Sequence, residues 1–305
     1  MVRVVTRLLY GLFLGGTLAV SWIPATWADG AAARIARRLS RLDGPRQRQL
    51  RTNLRVVLGS GATVEAVDSA AADVYVSYSR YMNEFFTMGW PDLWGRNARV
   101  KPVDLSLLEA ALANGRGVVL FGIHGGNWDL AASVCKRLFG DFHSVGEKVR
   151  PEWLGMIMSR ARRQGGIALH EGEGAGRQLL RALRGGKVVG LVAERTVIGK
   201  GVEVDLCGRT ARIPTGPVSL AIRTGAPLIP TSIVRDEAGD LRVEFLPAVD
   251  LSDLDRTTSD VAIGARRMAD QLTVLIQRGY RSWYALQPIW LDDSDRAESG
   301  PSGRG

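Results

Sequence analysis

Apolar positions follow two regimes along this chain. Residues 8–23, LLYGLFLGGTLAVSWI, run for sixteen residues without a charge behind Arg3 and Arg7. As a helix that run spans roughly 24 Å, against about 30 Å of bilayer hydrocarbon. The length suits a peripheral or partly inserted anchor. A full span, a cleaved signal and an ordinary buried helix share the pattern and stay open. Behind it the apolar positions thin out, and Arg34, Arg37, Arg38 and Arg41 recur at i, i+3, i+4 and i+7, one face of a helix. Arg46, Arg48, Arg51 and Arg55 follow the break at Asp43–Gly44–Pro45. Residues 62–90 read as a further helix that ends at Pro91.

From about residue 101 short apolar runs alternate with helical ones. GVVLFGI (117–123) precedes a helix over 127–138, and IAL (167–169) precedes one over 175–184. KVVGLVA (187–193) precedes GVEVDL (201–206), then a helix over 216–223 leads to PLIPTSIV (227–234). That last run pairs naturally with LRVEFL (241–246), and a helix over 260–278 follows. Strands interleaved with helices predict an α/β fold, a central sheet with helices on both faces. The expected organisation is a hydrophobic membrane-associating helix over 1–27, an arginine-rich helical region over 28–100, an α/β core over 101–291 and a disordered polar tail over 292–305.

Composition adds little to this picture except through charge. A hydrophobic share of 46% with 23% charged residues is that of a globular chain. The net charge of +9 comes almost wholly from arginine, a ratio that GC-rich coding produces without functional cause. Eight arginines within 22 residues behind an apolar helix nevertheless suit an anionic lipid surface; a solvated helix face is the plain alternative. Nucleic acid is not expected, because no aromatics are interleaved with the charge and no recognition motif accompanies it. Cys135 and Cys207 stand 72 positions apart, without metal-ligand spacing, and read as two reduced thiols.

The candidate chemistry gathers around GIHGGNWDLAA (122–132). His124 falls at or just past the carboxyl end of a buried strand, where open α/β sheets bind ligands. Gly125 and Gly126 permit a sharp turn and close approach of a substrate. Asn127 is a natural helix cap, which puts Asp129 in the first helical turn. There it can fold back to hold one imidazole nitrogen and leave the other as a base, or serve only the helix dipole. His143 and His170 have no ligand-like partners in sequence, so no metal site is expected. Neither a G-x-S-x-G elbow nor a G-x4-G-K-S/T loop is present.

These residues carry a resemblance. HGGNWD resembles the H-x4-D/E motif of glycerolipid acyltransferases, and the longer GIHGGNWDLAA resembles the branch that contains lipid A and phosphatidylinositol mannoside acyltransferases. GVEVDLCGRTARIPTGPVSLAIRTGAPLIP (201–230) and SWYALQPIW (282–290) match the same branch in the same order. The resemblance implies a glycerolipid-acyltransferase-like fold with a mixed central sheet, and transfer of an acyl chain from acyl-CoA to a hydroxyl of a membrane glycolipid. A phosphatidylinositol mannoside is the expected acceptor, at the cytoplasmic face of the cell membrane. A lipid A-type or other lysophospholipid acceptor, or a non-catalytic lipid-binding protein on the same fold, is the alternative. It implies His124 as general base and no cofactor beyond the acyl-CoA co-substrate. The N–H groups of the Gly125–Asn127 turn become candidate oxyanion donors. Glu194, in AERT (193–196), is a rival to Asp129 as the orienting acid, and Arg195 a candidate phosphate contact. Glu147 and Lys148 would lie on the acceptor side. Arg209 and Arg212, before PTGP, are further candidates for anionic groups.

Overall fold

The computed structural model describes residues 2–88, 90–91, 93–95, 99–146, 149–196 and 201–291. Four helices come first: α1 (Val2–Ser21), α2 (Ala25–Ser40), α3 (Pro45–Leu58) and α4 (Val64–Thr87). Strands and helices then alternate through β1 (Val100–Pro102), α5 (Ser106–Ala113), β2 (Val118–Gly122), α6 (Trp128–Phe139), β3 (Phe142–Val145), α7 (Glu152–Gln164), β4 (Ile167–His170), α8 (Ala175–Arg184) and β5 (Val188–Val192). After these come β6 (Val202–Leu206), β7 (Arg209–Ile213), α9 (Gly216–Thr224), β8 (Leu228–Arg235), β9 (Leu241–Phe245), α10 (Thr258–Gly279) and a single 3-10 turn, Tyr280–Ser282.

Seven strands form one sheet in the order β1-β9-β8-β2-β5-β3-β4. It is mixed: β8, β2, β5, β3 and β4 run parallel, while β9 is antiparallel to β8 and parallel to β1. The central strand β2 shows why its run is apolar throughout. Val118 and Leu120 join one buried cluster with Leu108 of α5 and Leu130 of α6. Val119 and Phe121 face the other way, onto Leu183 of α8, Val218 of α9 and Leu272 of α10. A strand covered on both faces has no solvated side on which to alternate polar residues.

Two features depart from the sequence reading. Residues 202–206 do not enter the sheet; β6 pairs only with β7, as an antiparallel hairpin. Its two-residue turn, Cys207 and Gly208, has φ of 55° and 79°, the double left-handed conformation that suits the twist of a tight hairpin. Five further elements, β1, α5, β3, α7 and β7, carry too short or too mixed a pattern to stand out in sequence. The tail over 292–305 lies outside the described residues.

The N-terminal helices pack on the core by one face only. Phe13 of α1 meets Phe86 of α4 at 4.9 Å and Trp153 of α7 at 5.8 Å. The indole N–H of Trp90 donates to Thr17 Oγ1 at 3.1 Å, and that of Trp94 to the Ser21 carbonyl. Leu8, Leu12, Trp22, Trp27 and Ile35 are exposed. Among the described residues no single helix is long and apolar enough to cross a membrane; α1 and α2, bent by 120°, pass that test only as a pair, by length and composition.

Candidate active site

His124 stands two residues beyond β2, the middle strand of the sheet, at its carboxyl edge. Glu194, two residues beyond the adjacent parallel strand β5, reaches the same edge. Its Oε1 lies 2.7 Å from His124 Nδ1 and also accepts the His124 backbone N–H at 3.0 Å. The Glu194 side chain is 1% exposed and that of His124 21%. Burial alone would push the Glu194 carboxyl up, but the charge and hydrogen bonds of His124 outweigh it and hold the group below the usual carboxylate range. With Nδ1–H committed to a carboxylate, Nε2 carries the lone pair.

Asp129 is elsewhere. Its Oδ1 accepts Arg162 Nε–H at 2.8 Å, and its Oδ2 accepts the Tyr81 hydroxyl at 2.9 Å and Arg162 Nη2 at 3.3 Å. The side chain is buried in a pair that joins α6 to α7 and α4. Burial raises the Tyr81 hydroxyl, and the neighbouring Asp129 charge raises it further, so it remains a donor. Burial would lower Arg162, but Asp129 offsets this and its guanidinium stays raised. Of the two acids that sequence spacing left open, Glu194 is the one on the imidazole.

The turn between β2 and α6 is held from every side. Asn127 Oδ1 caps α6 by accepting Leu130 N–H at 2.9 Å, while its Nδ2 donates to Glu84 of α4 at 2.8 Å. Arg235, at the end of β8, clamps both oxygens of Glu84 at 2.8 Å. Gly126 has φ +63°, and a Cβ there would run into the Ile233 carbonyl, so only glycine fits. The segment after α10 laces over the turn: Tyr284 N–H donates to the His124 carbonyl at 2.7 Å, and the Tyr284 hydroxyl to the Gly126 carbonyl at 2.5 Å. Of the candidate oxyanion donors in the Gly125–Asn127 turn, the N–H groups of Gly125 and Gly126 donate here to the Ile123 and Ser282 carbonyls, at 2.7 and 3.2 Å.

A cavity of about 1200 Å³ opens at His124. It exceeds the roughly 300–1,000 Å³ of ordinary small-molecule pockets. Much of its wall is apolar, with Leu120, Ala131, Ala132, Cys135, Phe142 and Leu169 among its lining. Burial pushes the Cys135 thiol up to about 12, so it serves as an inert wall group. Trp128 meets the His124 ring edge-on at 5.3 Å and stacks on Tyr81 at 4.6 Å.

The remaining sequence candidates divide. Arg195 lines the cavity. Arg209 and Arg212 do not: they sit on the β6–β7 hairpin, where Arg212 pairs with Glu203 at 2.6 Å and Arg209 lines a separate small pocket. The hairpin's departure from the sheet carries both away. Glu147 and Lys148 lie outside the described residues. His143 and His170, unrelated in sequence, meet across β3 and β4 with Nδ1···Nε2 at 2.9 Å. Among the described residues no three His, Cys, Asp or Glu side chains gather as metal ligands. Sequence reasoning missed Tyr81, Glu84, Arg162, Arg235 and Tyr284, which lie 33 to 158 positions from their partners in this network.

The largely parallel sheet, with a carboxylate-held histidine at its rim and a cavity of mostly apolar lining beside it, belongs to an acyltransferase. The chain is a member of the bacterial lipid A biosynthesis acyltransferase family, whose model matches residues 2–292. A phosphatidylinositol mannoside acyltransferase of Mycobacterium tuberculosis (strain CDC 1551 / Oshkosh) is 36% identical over 290 residues, covering 92% of this chain and 88% of its own length. One of the same name from Mycolicibacterium smegmatis is 32% identical over 296 residues, covering 94% of both.

Proposed function

We propose that this acyltransferase moves a fatty acyl chain from acyl-CoA to a hydroxyl of a phosphatidylinositol mannoside, with His124 as general base. The observation that carries the reading is the 2.7 Å contact of Glu194 with Nδ1 beside a cavity of alkyl-chain character. Nε2 takes the proton of the acceptor hydroxyl, and the alkoxide attacks the thioester carbonyl. The tetrahedral adduct collapses, the C–S bond breaks, and the leaving thiolate recovers the proton from the imidazolium. The step needs no enzyme nucleophile. Glu194 stabilises the imidazolium and fixes its tautomer. The mannoside acceptor is supported by the two relatives, both phosphatidylinositol mannoside acyltransferases.

Attachment at the cytoplasmic face of the cell membrane belongs to the same proposal. It is supported by the exposed apolar side chains of α1 and the segment that follows it, and by exposed Arg34, Arg37 and Arg38 on α2. The test supplies radiolabelled acyl-CoA and purified phosphatidylinositol mannoside to wild type and His124→Ala. Labelled mannoside is expected from the wild type, with the rate about 10²–10⁴-fold lower in the variant. Free fatty acid as the only product would make the protein a thioesterase. Preferential labelling of a lipid A precursor would replace the acceptor.

A further inference from the structure

His143 and His170 stand outside the candidate active site and hold each other. Their ring planes lie 9° apart with centroids at 5.2 Å, while the nearest nitrogens are only 2.9 Å apart. The rings therefore meet through nitrogen: one N–H donates and the lone pair of the other ring accepts. A first added proton keeps that bond, since the charged ring remains the donor. A second must go onto the accepting nitrogen, which destroys the bond and sets two like charges side by side.

The pair spans the free edge of the sheet. β4 is the last strand, with β3 as its only neighbour among the described residues, and their ladder is four residues long. One more bond joins the two ends, from Gly146 N–H to the His170 carbonyl at 3.0 Å. Ser144 of β3, Leu169 of β4 and Gly146 all line the His124 cavity. Phe142 and Ile167 join the cluster under α6, so His143 and His170, an odd number of residues further on, face α8 instead. Few charges reach them there. α8 buries Leu179, Leu180 and Leu183 and leaves Arg177, Arg181 and Arg184 exposed, and β5 carries no titratable side chain. Asp141 and Lys187 pair with each other at 3.0 Å and act on His143 in opposite senses. Glu171 and Glu173, after β4, are exposed. On the other face α6 and α7 bring Lys136, beside Gly166, and the Asp129–Arg162 pair. Burial, and then the neighbouring His170, hold His143 below the usual histidine range. A base lowered on folding leaves stability intact above its ordinary value of 6.5 and reduces it as pH falls below that.

We propose that the His143–His170 pair is an acid-released latch on the cavity wall: the shared proton bolts β4 to β3, and double protonation replaces that bond by repulsion and frees the edge strand. A four-residue strand with a single neighbour has little else to hold its register. Once it loosens, Leu169 and Gly146 lose their fixed places in the wall, and the cavity changes shape some distance from His124 without any change at the imidazole itself.

Hydrogen exchange on full-length protein reads the latch without substrate, so its outcome stands apart from the acyl-transfer proposal. Wild type, His143→Gln and His170→Gln are compared at about pH 7.5 and about pH 5, with each rate corrected for the intrinsic pH dependence of exchange. Glutamine can donate to or accept from whichever form the remaining imidazole takes, and it does not titrate. In wild type the protection of β3 and β4 should fall about tenfold over that interval, the effect of one added proton, while β2 at the centre of the sheet keeps its own. Neither variant can gather two charges at the pair, so protection there should be the same at both pH values. A variant already loose at the higher pH and no looser at the lower one also supports the latch, because it has lost the bond without gaining a charge. Undiminished protection of β4 in wild type at the lower pH would overturn the proposal. So would an equal fall in wild type and either variant, which would trace the loosening to other groups such as Asp141.

Discussion

At the scale of single residues, the two acids near His124 do different work because their partners differ. Glu194 has the imidazole, and its second oxygen Oε2 is buried without a partner among the described residues. Asp129 has a guanidinium and a phenol. Replacing Glu194 by Gln keeps the shape but removes the charge that favours an imidazolium, so kcat should fall about 10²–10⁴-fold. A carboxyl lowered on folding stabilises the fold above its ordinary value near 4.5 and loses that contribution as pH falls through the lowered value. Wild type should therefore lose stability between about pH 5 and pH 3 more steeply than Glu194→Gln, as urea unfolding across that range will read. Asp129→Asn instead strands a mostly buried Arg162, and should cost about 3–5 kcal/mol of unfolding free energy in the same assay. An equal effect of the two substitutions on stability would mean that the partners are wrongly divided.

Elements differ in how far the sequence alone reveals them. The strand runs at 117–123, 187–193 and 227–234 stand out because both faces are buried and a continuous apolar stretch has few other uses. Helix α6 is equally legible, since Asn127 caps it where the apolar run stops. Strand β3, Phe-His-Ser-Val, is four residues with two polar ones, and β1 is three residues; both exist because a neighbouring strand offers them a ladder. Helix α7 mixes Gly155 and three arginines into its period, and its best anchor, Arg162 on Asp129, is a tertiary contact. The site follows the same rule. His124, its turn and the rival acids are local patterns, whereas the choice between Asp129 and Glu194 depends on which strand lies beside β2. The turn between β2 and α6 makes a prediction at this scale. Gly126→Ala places a Cβ in left-handed backbone and against the Ile233 carbonyl. It should destabilise by more than about 1–2 kcal/mol and displace His124 through the Tyr284 hydrogen bonds, so melting temperature and kcat fall together. Gly125→Ala, where φ is not left-handed and the nearest backbone oxygen is 3.1 Å away, should fall less on both counts. A stable and active Gly126→Ala would show that the turn tolerates what its geometry forbids.

For the whole molecule the question is how the proposed reaction at the sheet's rim would meet an acceptor held in a bilayer. On that proposal the N-terminal helices offer two attractions. The exposed apolar residues Leu8, Leu12, Trp22 and Trp27 contribute through hydrocarbon burial, which salt does not weaken. Arg34, Arg37, Arg38 and Arg41 contribute through charge, at roughly 1 kcal/mol each near an anionic surface, and this share is screened. The two shares make separable predictions for sedimentation with vesicles rich in anionic lipid. Raising salt should reduce the bound fraction without abolishing it, because α1 keeps its apolar contact. Neutral vesicles should resemble anionic ones at high salt. Leu8→Ser with Leu12→Ser alters only residues that face away from α4 and α7, so it should leave the fold intact while reducing the salt-resistant part of the attachment, the rest of which stays with Trp22 and Trp27. Complete release of the wild type by salt would leave the arginine face as the whole attachment and remove α1 from it. Salt-indifferent binding would assign everything to the helix and return the arginines to the role of a solvated surface.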